Sequence, residues 1–316
     1  MCDDYMLKNS IELSIIYIGI VNRYFEIIDE NQPIELKQLH IIASCDNGYS
    51  LHWAECAQNL GLIRIDNSTI TLTSLGRHYL FHNPNGKIHV VLRSIYSIIL
   101  TNECMGFFKT GHVPGYSIIF SEPFRNLIPQ YGYISRKTYL DSFHEIVKHK
   151  EIAAILDNAI TIADWGCGGA WFINELSCLY PQQKYVGIDI IDIVEKNRKV
   201  YVNKPRISFV EENQVSQKCF DVIFINHTYH HFSDKPQMLA RISANLSQNG
   251  SIIIWDYVNE ESHDSEIAFL DLIEHIQGAR FYSKKEIIEE LKAANLEFSL
   301  LSFGKTNEVL IIANPS

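Results

Sequence analysis

Along residues 11–29, "IELSIIYIGIVNRYFEIID", apolar side chains recur at helical spacing, which predicts one helix. "IELKQLHIIAS", after Pro33, and "SLHWAECAQNLGLIRID" repeat that pattern, and Gly61 stands where the third helix should end in a left-handed cap. Two short β-type runs then flank Asn67-Ser68 in "LIRIDNSTITL", a hairpin signal, before another helix begins. Helix, helix, helix, hairpin is the order of a winged helix, placed here over residues 1–86. Residues 87–155 are helical in pattern, interrupted by "KTGHVPGYS" and around Pro123 and Pro129.

The second half alternates. "TIADW", "KYVGIDI", "ISFV", "FDVIFIN" and "GSIIIWDYV" are apolar runs parted by helical stretches. "SKKEIIEELKAANL" precedes the last two runs, "EFSLLSF" and "EVLIIAN". Short, nearly continuous apolar strands with helices between them predict an α/β domain over residues 156–316, a parallel sheet covered on both faces. The last two strands, joined by "GKTN", should form an antiparallel hairpin at its edge.

The chemistry begins at "TIADWGCGGAWFINEL", residues 161–176, a strand, a glycine turn and a helix. A P-loop needs Gly-Lys-Ser/Thr, which is missing. A dinucleotide turn wants glycine at its sixth position for close helix packing, and counting from Gly166 that position is Trp171. What remains is a turn flanked by acids, Asp164 ending the first strand and Asp189 the second. A carboxylate at the second strand's tip accepts both hydroxyls of a ribose. A nucleoside carrying a cationic sulfonium suits such a pocket; the bland alternative is a tight turn between two unremarkable aspartates.

On these residues the chain resembles the class I S-adenosylmethionine-dependent methyltransferases. "DWGCGGA" is similar to their first motif, Asp/Glu-x-Gly-x-Gly-x-Gly, with Ala170 for the last glycine, and "VGIDI" to the strand carrying their ribose acid. In "FVEEN", Asn213 stands where the family often has Asp, and its amide can meet the adenine edge. The resemblance extends N-terminally: "LTSLGR" looks like the end of the wing in the winged-helix dimerisation domain of small-molecule O-methyltransferases. "GARFYSKKEIIEELKAANLEF" resembles a later block of that subfamily. The resemblance implies a Rossmann-like seven-stranded methyltransferase domain preceded by an all-helical, winged-helix dimerisation domain. It also implies S-adenosyl-L-methionine as cofactor and a homodimer formed through the N-terminal domain. The expected cofactor contacts are Asp164, Gly166, Gly168, Asp189, Ile190, Asn213, Asn226 and His227.

Methyl transfer to a hydroxyl needs an aligned acceptor and a proton acceptor. "FINHTYHHFSDKPQML" sets His227, His230 and His231 in a turn at the carboxyl end of the fourth strand, with Ser233 or Asp234 capping the next helix. The family's histidine in Leu-His-Asp-Trp-Ser-Asp aligns with His230, the candidate base. The alternative is a helix-entry turn without catalysis. Two departures stand out: His231 replaces the Asp after that histidine, and "GARFYS" lacks the Glu of the family's Gly-x-Glu-Arg-Thr, leaving Asp256 or Glu260 as possible supports.

Those departures open a second reading, since some relatives use a histidine-held metal to methylate the carbon beside an α-keto acid's carbonyl; here His230, His231 and His275 are the set. N-methylation by proximity, a non-methylating relative and a winged-helix regulator complete the alternatives. The third helix has no Lys or Arg, and residues 1–85 hold five basic against ten acidic residues, which argues against a nucleic-acid partner.

Aromatic residues of the middle segment, Phe107, Tyr116, Tyr131, Tyr133, Tyr139 and Phe143, with His144 and Asp256, are the expected acceptor-binding set for a small planar or hydrophobic substrate. Simple packing is the alternative for each, and Trp165 is read as core. The net charge of −10 argues against a polyanion partner. Seven scattered cysteines without CxxC spacing suit a reducing compartment, the expected location being cytoplasmic. "MCDDYMLKNS" starts acidic, unlike a secretory signal, and "IHVVLRSIYSIIL" carries an Arg, so no bilayer span is expected.

Overall fold

The N-terminal apolar stretch folds as two helices rather than one: α1 (Cys2–Val21) and α2 (Tyr24–Asn31). They part where Arg23 takes a left-handed φ of 57°, which breaks the helix without Gly or Pro. The break lets Tyr24 and Phe25 of α2 close on Trp53, at ring-centroid distances of 4.5 and 5.7 Å. The Trp53 indole donates to the Ile15 carbonyl of α1 at 2.9 Å. The computed structural model describes residues 2–83, 85–111, 131–215, 220–260, 265–302 and 307–316.

The chain divides into two units, Met1–Ile98 and Ile99–Ser316, and the division falls inside α5 (Ile88–Thr110) rather than near residues 86 and 155. The helical pattern of residues 87–155 holds three helices, α5 and two that follow it, and the division falls within the first of them. In the first unit, β1 (Ile34–Glu35), α3 (Leu36–Ala43), α4 (Asn47–Asn59), β2 (Ile63–Asp66) and β3 (Thr69–Leu72) follow α2. Gly61, φ 71°, ends α4 as expected, and Asn67 and Ser68, φ 48° and 67°, turn the hairpin. The strand β1 was not expected, because Ile34 and Glu35 read as the start of a helix. Ile34, 2% exposed, instead pairs with Ile70, giving a three-stranded antiparallel sheet of order β1-β3-β2.

The second unit opens with the rest of α5, continues with α6 (Tyr131–Lys148) and α7 (Lys150–Asn158), then alternates. In order come β4 (Thr161–Trp165), α8 (Trp171–Leu179), β5 (Lys184–Asp189), α9 (Ile191–Val200), β6 (Ile207–Glu211) and β7 (Phe220–Asn226). They are followed by α10 (Lys235–Ser243), β8 (Leu246–Tyr257), α11 (Ser265–Ile276), α12 (Lys284–Ala293), β9 (Leu296–Leu300) and β10 (Glu308–Pro315). The sheet has seven strands in the order β6-β5-β4-β7-β8-β10-β9, and β10 alone runs antiparallel to its neighbours. The terminal hairpin is present, with β10 inserted beside β8 and β9 left at the edge.

Both faces of the sheet are covered, as near-continuous apolar strands require. Phe143, Phe172, Leu176, Phe224 and Trp255 pack on one side, and Trp165, Ile223, Leu239, Ile254 and Leu291 on the other. Trp165, 1% exposed, is core as read from the sequence. Strand order reverses between β4 and β7, which opens a crevice at their carboxyl ends, where such folds bind ligands. Among the described residues no helix is long and apolar enough to cross a membrane.

Gly166 opens the turn after β4 with φ 78°, and a Cβ there would lie 2.2 Å from the Thr228 methyl. Gly166→Ala is expected to destabilise the protein by about 2–4 kcal/mol, left-handed backbone and overpacking together. Urea unfolding of the pair checks this.

Candidate active site

The glycine turn and the tip of β5 are built as one piece. Gly166 and Cys167 donate their N–H groups to the Ile188 carbonyl at 2.8 and 3.2 Å. Gly168 N and Ile190 N donate to the two Asp189 carboxylate oxygens, each at 2.8 Å, so that carboxylate is held with its remaining lone pairs unassigned. Asp164 is 2% exposed, and its Oδ1 accepts from Asn226 Nδ2 at 2.8 Å. Burial pushes the Asp164 carboxyl up to about 7, against the Asn226 bond and helped by the Asp189 charge. The Asn226 Oδ1 is buried and has no hydrogen-bond partner among the described residues. Above Gly168, φ 48°, the space a Cβ would take is open. Ile190 is 41% exposed beside this opening, and Asn213 is exposed in the short 3-10 turn after β6. The structure thus gathers Asp164, Gly166, Gly168, Asp189, Ile190 and Asn226 around one turn.

A second cluster sits one strand away. β7 ends at Asn226, and His227 follows with a left-handed φ of 48°, a conformation a non-glycine residue rarely adopts. The chain then makes a 3-10 turn, Tyr229–His231, and enters α10, which Asp234 rather than Ser233 caps by accepting from Gln237 N at 3.0 Å. His230 is 5% exposed; its Nδ1 lies 2.8 and 3.0 Å from the two Asp256 oxygens, and its backbone N–H donates to Asp256 Oδ2 at 3.1 Å. Its Nε2 lies 3.6 Å from Glu274 Oε2, and His231 Nε2 lies 3.7 Å from the same oxygen. Burial alone would depress the His230 pKa, but the Asp256 charge and hydrogen bond, with Glu274, raise it to about 10. His231 goes the other way, to about 4, through burial and the neighbouring His230 charge. Asp256 and Glu274 are both held below the usual carboxylate range: burial opposes the shift, and the His230 charge and hydrogen bond outweigh it.

Two expectations change here. His275 does not join the other histidines: it is exposed, and Glu274, about 100° around α11, is the residue that reaches them. The missing carboxylate is therefore supplied one turn before "GARFYS", where the resemblance offered no signal. Of the two proposed supports, Asp256 holds His230, whereas the Glu260 carboxylate accepts from Lys284 N at 3.0 Å. The turn is also braced from below: buried Lys235 donates to the Phe232 carbonyl at 2.6 Å, and the Tyr229 hydroxyl donates to Glu290.

The aromatic expectations divide. Tyr139 stacks on His227 at 4.2 Å, and Trp255 and Tyr257 approach the same imidazole at 4.4 and 4.8 Å. Phe143 is fully buried and packs on Phe172 at 5.2 Å, while His144, the next residue round α6, is exposed; neither joins the aromatic group around His227. Tyr116 and the side chains of Phe107, Tyr131 and Tyr133 lie outside the described residues.

Known proteins share this architecture. Residues 138–300 match the family model described as a methyltransferase domain. The chain is 24% identical over 169 residues to a malonyl-[acyl-carrier protein] O-methyltransferase of Bacillus anthracis, covering 50% of this chain and 61% of that protein. It thus spans about three fifths of the length of that relative. An O-methyltransferase family protein from Burkholderia thailandensis superposes with a TM-score of 0.72 at 14% identity, over 100% of this chain and 98% of that one. Human N-acetylserotonin methyltransferase, solved in complex with SAM, gives 0.69 at 14% identity, over 100% and 96%. At such identities the likeness speaks for the fold.

Because the His230 pKa is raised in the folded chain, its stabilising contribution is complete below the unfolded value of 6.5 and is lost as pH rises through about 10. Stability is expected to fall across that window. His230→Gln should flatten the slope while lowering stability throughout, because Asp256 stays buried without its imidazole. Denaturant titrations at fixed pH steps read both effects.

Proposed function

Since the chain belongs to the methyltransferase-domain family, we propose that it is an S-adenosylmethionine-dependent methyltransferase that acts on a hydroxyl of a small acceptor, with His230 as proton acceptor. The observation that carries this reading is one crevice holding both an acid-flanked glycine turn and a buried imidazole fixed between two carboxylates. The residues fit the cofactor: Gly168 leaves open space, Asp189 offers lone pairs for a ribose diol, and the orphaned Asn226 Oδ1 beside Asp164 awaits a donor such as an ammonium group. When bound, S-adenosylmethionine supplies an electrophilic methyl on a positively charged sulfur.

The chain's own part is alignment and proton removal. Asp256 takes the Nδ1–H of His230, fixes the ring and leaves Nε2 as the atom that accepts the acceptor's proton. Glu274 faces that Nε2 and, with Asp256, favours the imidazolium that the ring carries at neutral pH, so the ring takes the acceptor's proton only after shedding its own. The stacked rings of Tyr139 and His227, with Tyr257 tilted beside them and buried Trp255 edge-on behind, offer an aromatic wall for a planar acceptor. The first unit fits a winged-helix dimerisation domain, and exposed Leu7, Ile11 and Ile18 on α1 suit a homodimer contact. A cytoplasmic location agrees with the free thiols of Cys45, Cys56, Cys167 and Cys178.

One observation favours a second reading. His230, His231 and Glu274 each offer a ligand atom, all within 4.8 Å of one another. With Asp256 orienting His230 from behind, these residues would hold a divalent transition metal, two imidazoles and a carboxylate. Held there, such an ion would supply Lewis acidity to the carbonyl of an α-keto acid and favour its enol, the acceptor for C-methylation.

His230→Ala is expected to cut turnover about 10²–10⁴-fold, the usual contribution of a positioned base, and to leave adenosylmethionine affinity unchanged by calorimetry. Unaltered turnover removes His230 from the mechanism. Wild-type turnover should rise with pH toward about 10 as Nε2 sheds its resting proton. Chelator-treated enzyme should keep its activity; its loss, with stoichiometric metal in the untreated protein, selects the second reading.

A further inference from the structure

Two side chains of the β5–α9 region reach the glycine turn and have no part in the chemistry above. Asn197, 2% exposed on α9, donates its Nδ2 to the Gly168 carbonyl at 2.7 Å and lies 3.8 Å from the Cys167 thiol. One turn later, Tyr201 donates its hydroxyl to the Gly169 carbonyl at 2.9 Å. Burial pushes that hydroxyl up to about 12, so it remains a donor at neutral pH. From the other side, Thr228 donates to the Gly166 carbonyl at 3.1 Å. The carbonyls of the turn's three glycines, Gly166, Gly168 and Gly169, are thus drawn toward the protein by side chains from α9 and from the turn after β7.

A planar trans peptide puts its C=O and the following N–H on opposite sides. Holding the Gly168 carbonyl inward therefore turns the Gly169 N–H outward, toward the open side of the turn. The loop has no Cβ at these positions to restrict its own torsions, so its shape depends on external holds. Asp189 closes the other end by accepting from Gly168 N. Asp189 ends β5, Asn197 lies in the helix α9 that follows, and Tyr201 stands at that helix's end, so the ribose carboxylate and the two clamps belong to one strand–helix unit.

We propose that Asn197 and Tyr201 are positioning residues for the cofactor: by holding the Gly168 and Gly169 carbonyls they preorganise the turn and set the affinity for the adenosyl ligand. This role rests on the methyltransferase reading. Preorganisation of this kind acts on affinity because the free loop then has little order left to lose on binding.

The test is calorimetry of adenosylmethionine and adenosylhomocysteine on the full chain, with thermal melts alongside. Tyr201→Phe removes one hydroxyl and keeps the ring against Phe209, 5.5 Å away, so its fold is retained. It is expected to raise both Kd values about 3–10-fold, the worth of one net hydrogen bond, with little change in melting temperature. Asn197→Ala should raise them further. Kd values within twofold of wild type in Tyr201→Phe, whatever the melting temperature does, overturn the proposal and leave the methyltransferase reading standing. A wild-type protein that binds neither ligand overturns that reading and the proposal together.

Discussion

A carboxylate at 1% exposure inside a sheet imposes itself on everything around it, because a buried charge without partners is far costlier than any single packing contact. Asp256, near the end of β8, is that group. It accepts from the Tyr257 N–H at 2.7 Å and from the backbone and ring of His230. The 3-10 turn after β7 must therefore place His230 over the β8 tip, and the rest of the turn is secured to allow it. Asp234 caps the helix that follows, Lys235 holds the Phe232 carbonyl, and the Tyr229 hydroxyl donates to Glu290 of α12. Phe281 closes the edge of the imidazole at 5.0 Å. The high basicity of His230 is a consequence of this pairing rather than an independent feature.

The same strand end joins the two halves of the crevice. Asn226 reaches across to Asp164, Thr228 reaches to Gly166, and His230 reaches to Asp256, all within five residues of β7 and the turn after it. β7 lies between β4 and β8, so a short segment can touch the cofactor turn on one side and the acidic strand tip on the other. The requirement for glycine at 166 comes from this closeness: the Thr228 side chain occupies the place of a Cβ. Binding geometry and proton transfer are thereby tied to one backbone excursion, with His227 in a left-handed conformation at its start. Such an outlier persists only where its surroundings over-determine it, and here three flanking hydrogen bonds do so.

Local pattern was a reliable guide wherever local physics decides. The seven apolar runs became the seven strands, because a strand buried on both faces must be apolar throughout. Gly61, Asn67-Ser68 and Asp234 marked a cap, a hairpin and a helix start through preferences that belong to single residues. The glycine turn, its two acids and the histidine after the fourth strand were legible for the same reason: their spacing along one strand–turn–helix unit already places them at its carboxyl end.

Other features depended on partners distant in the chain. Ile34 left its helix to pair with Ile70, and the first helix broke at Arg23 as Tyr24 and Phe25 closed on Trp53. β10 moved inside its own hairpin partner to lie against β8. Phe143 went to the core and His144 outward, a choice made by the facing helix α8. Above all, Glu274 rather than His275 met the histidines, because the rotation of α11 about its own axis is set by packing. By itself the sequence determined the strands, the acid-flanked turn and the histidine beyond it, since each follows from backbone periodicity and near neighbours. Only the tertiary structure decided which carboxylates face that histidine, since a helix's rotation and a strand's neighbours are fixed by contacts between residues far apart in the chain.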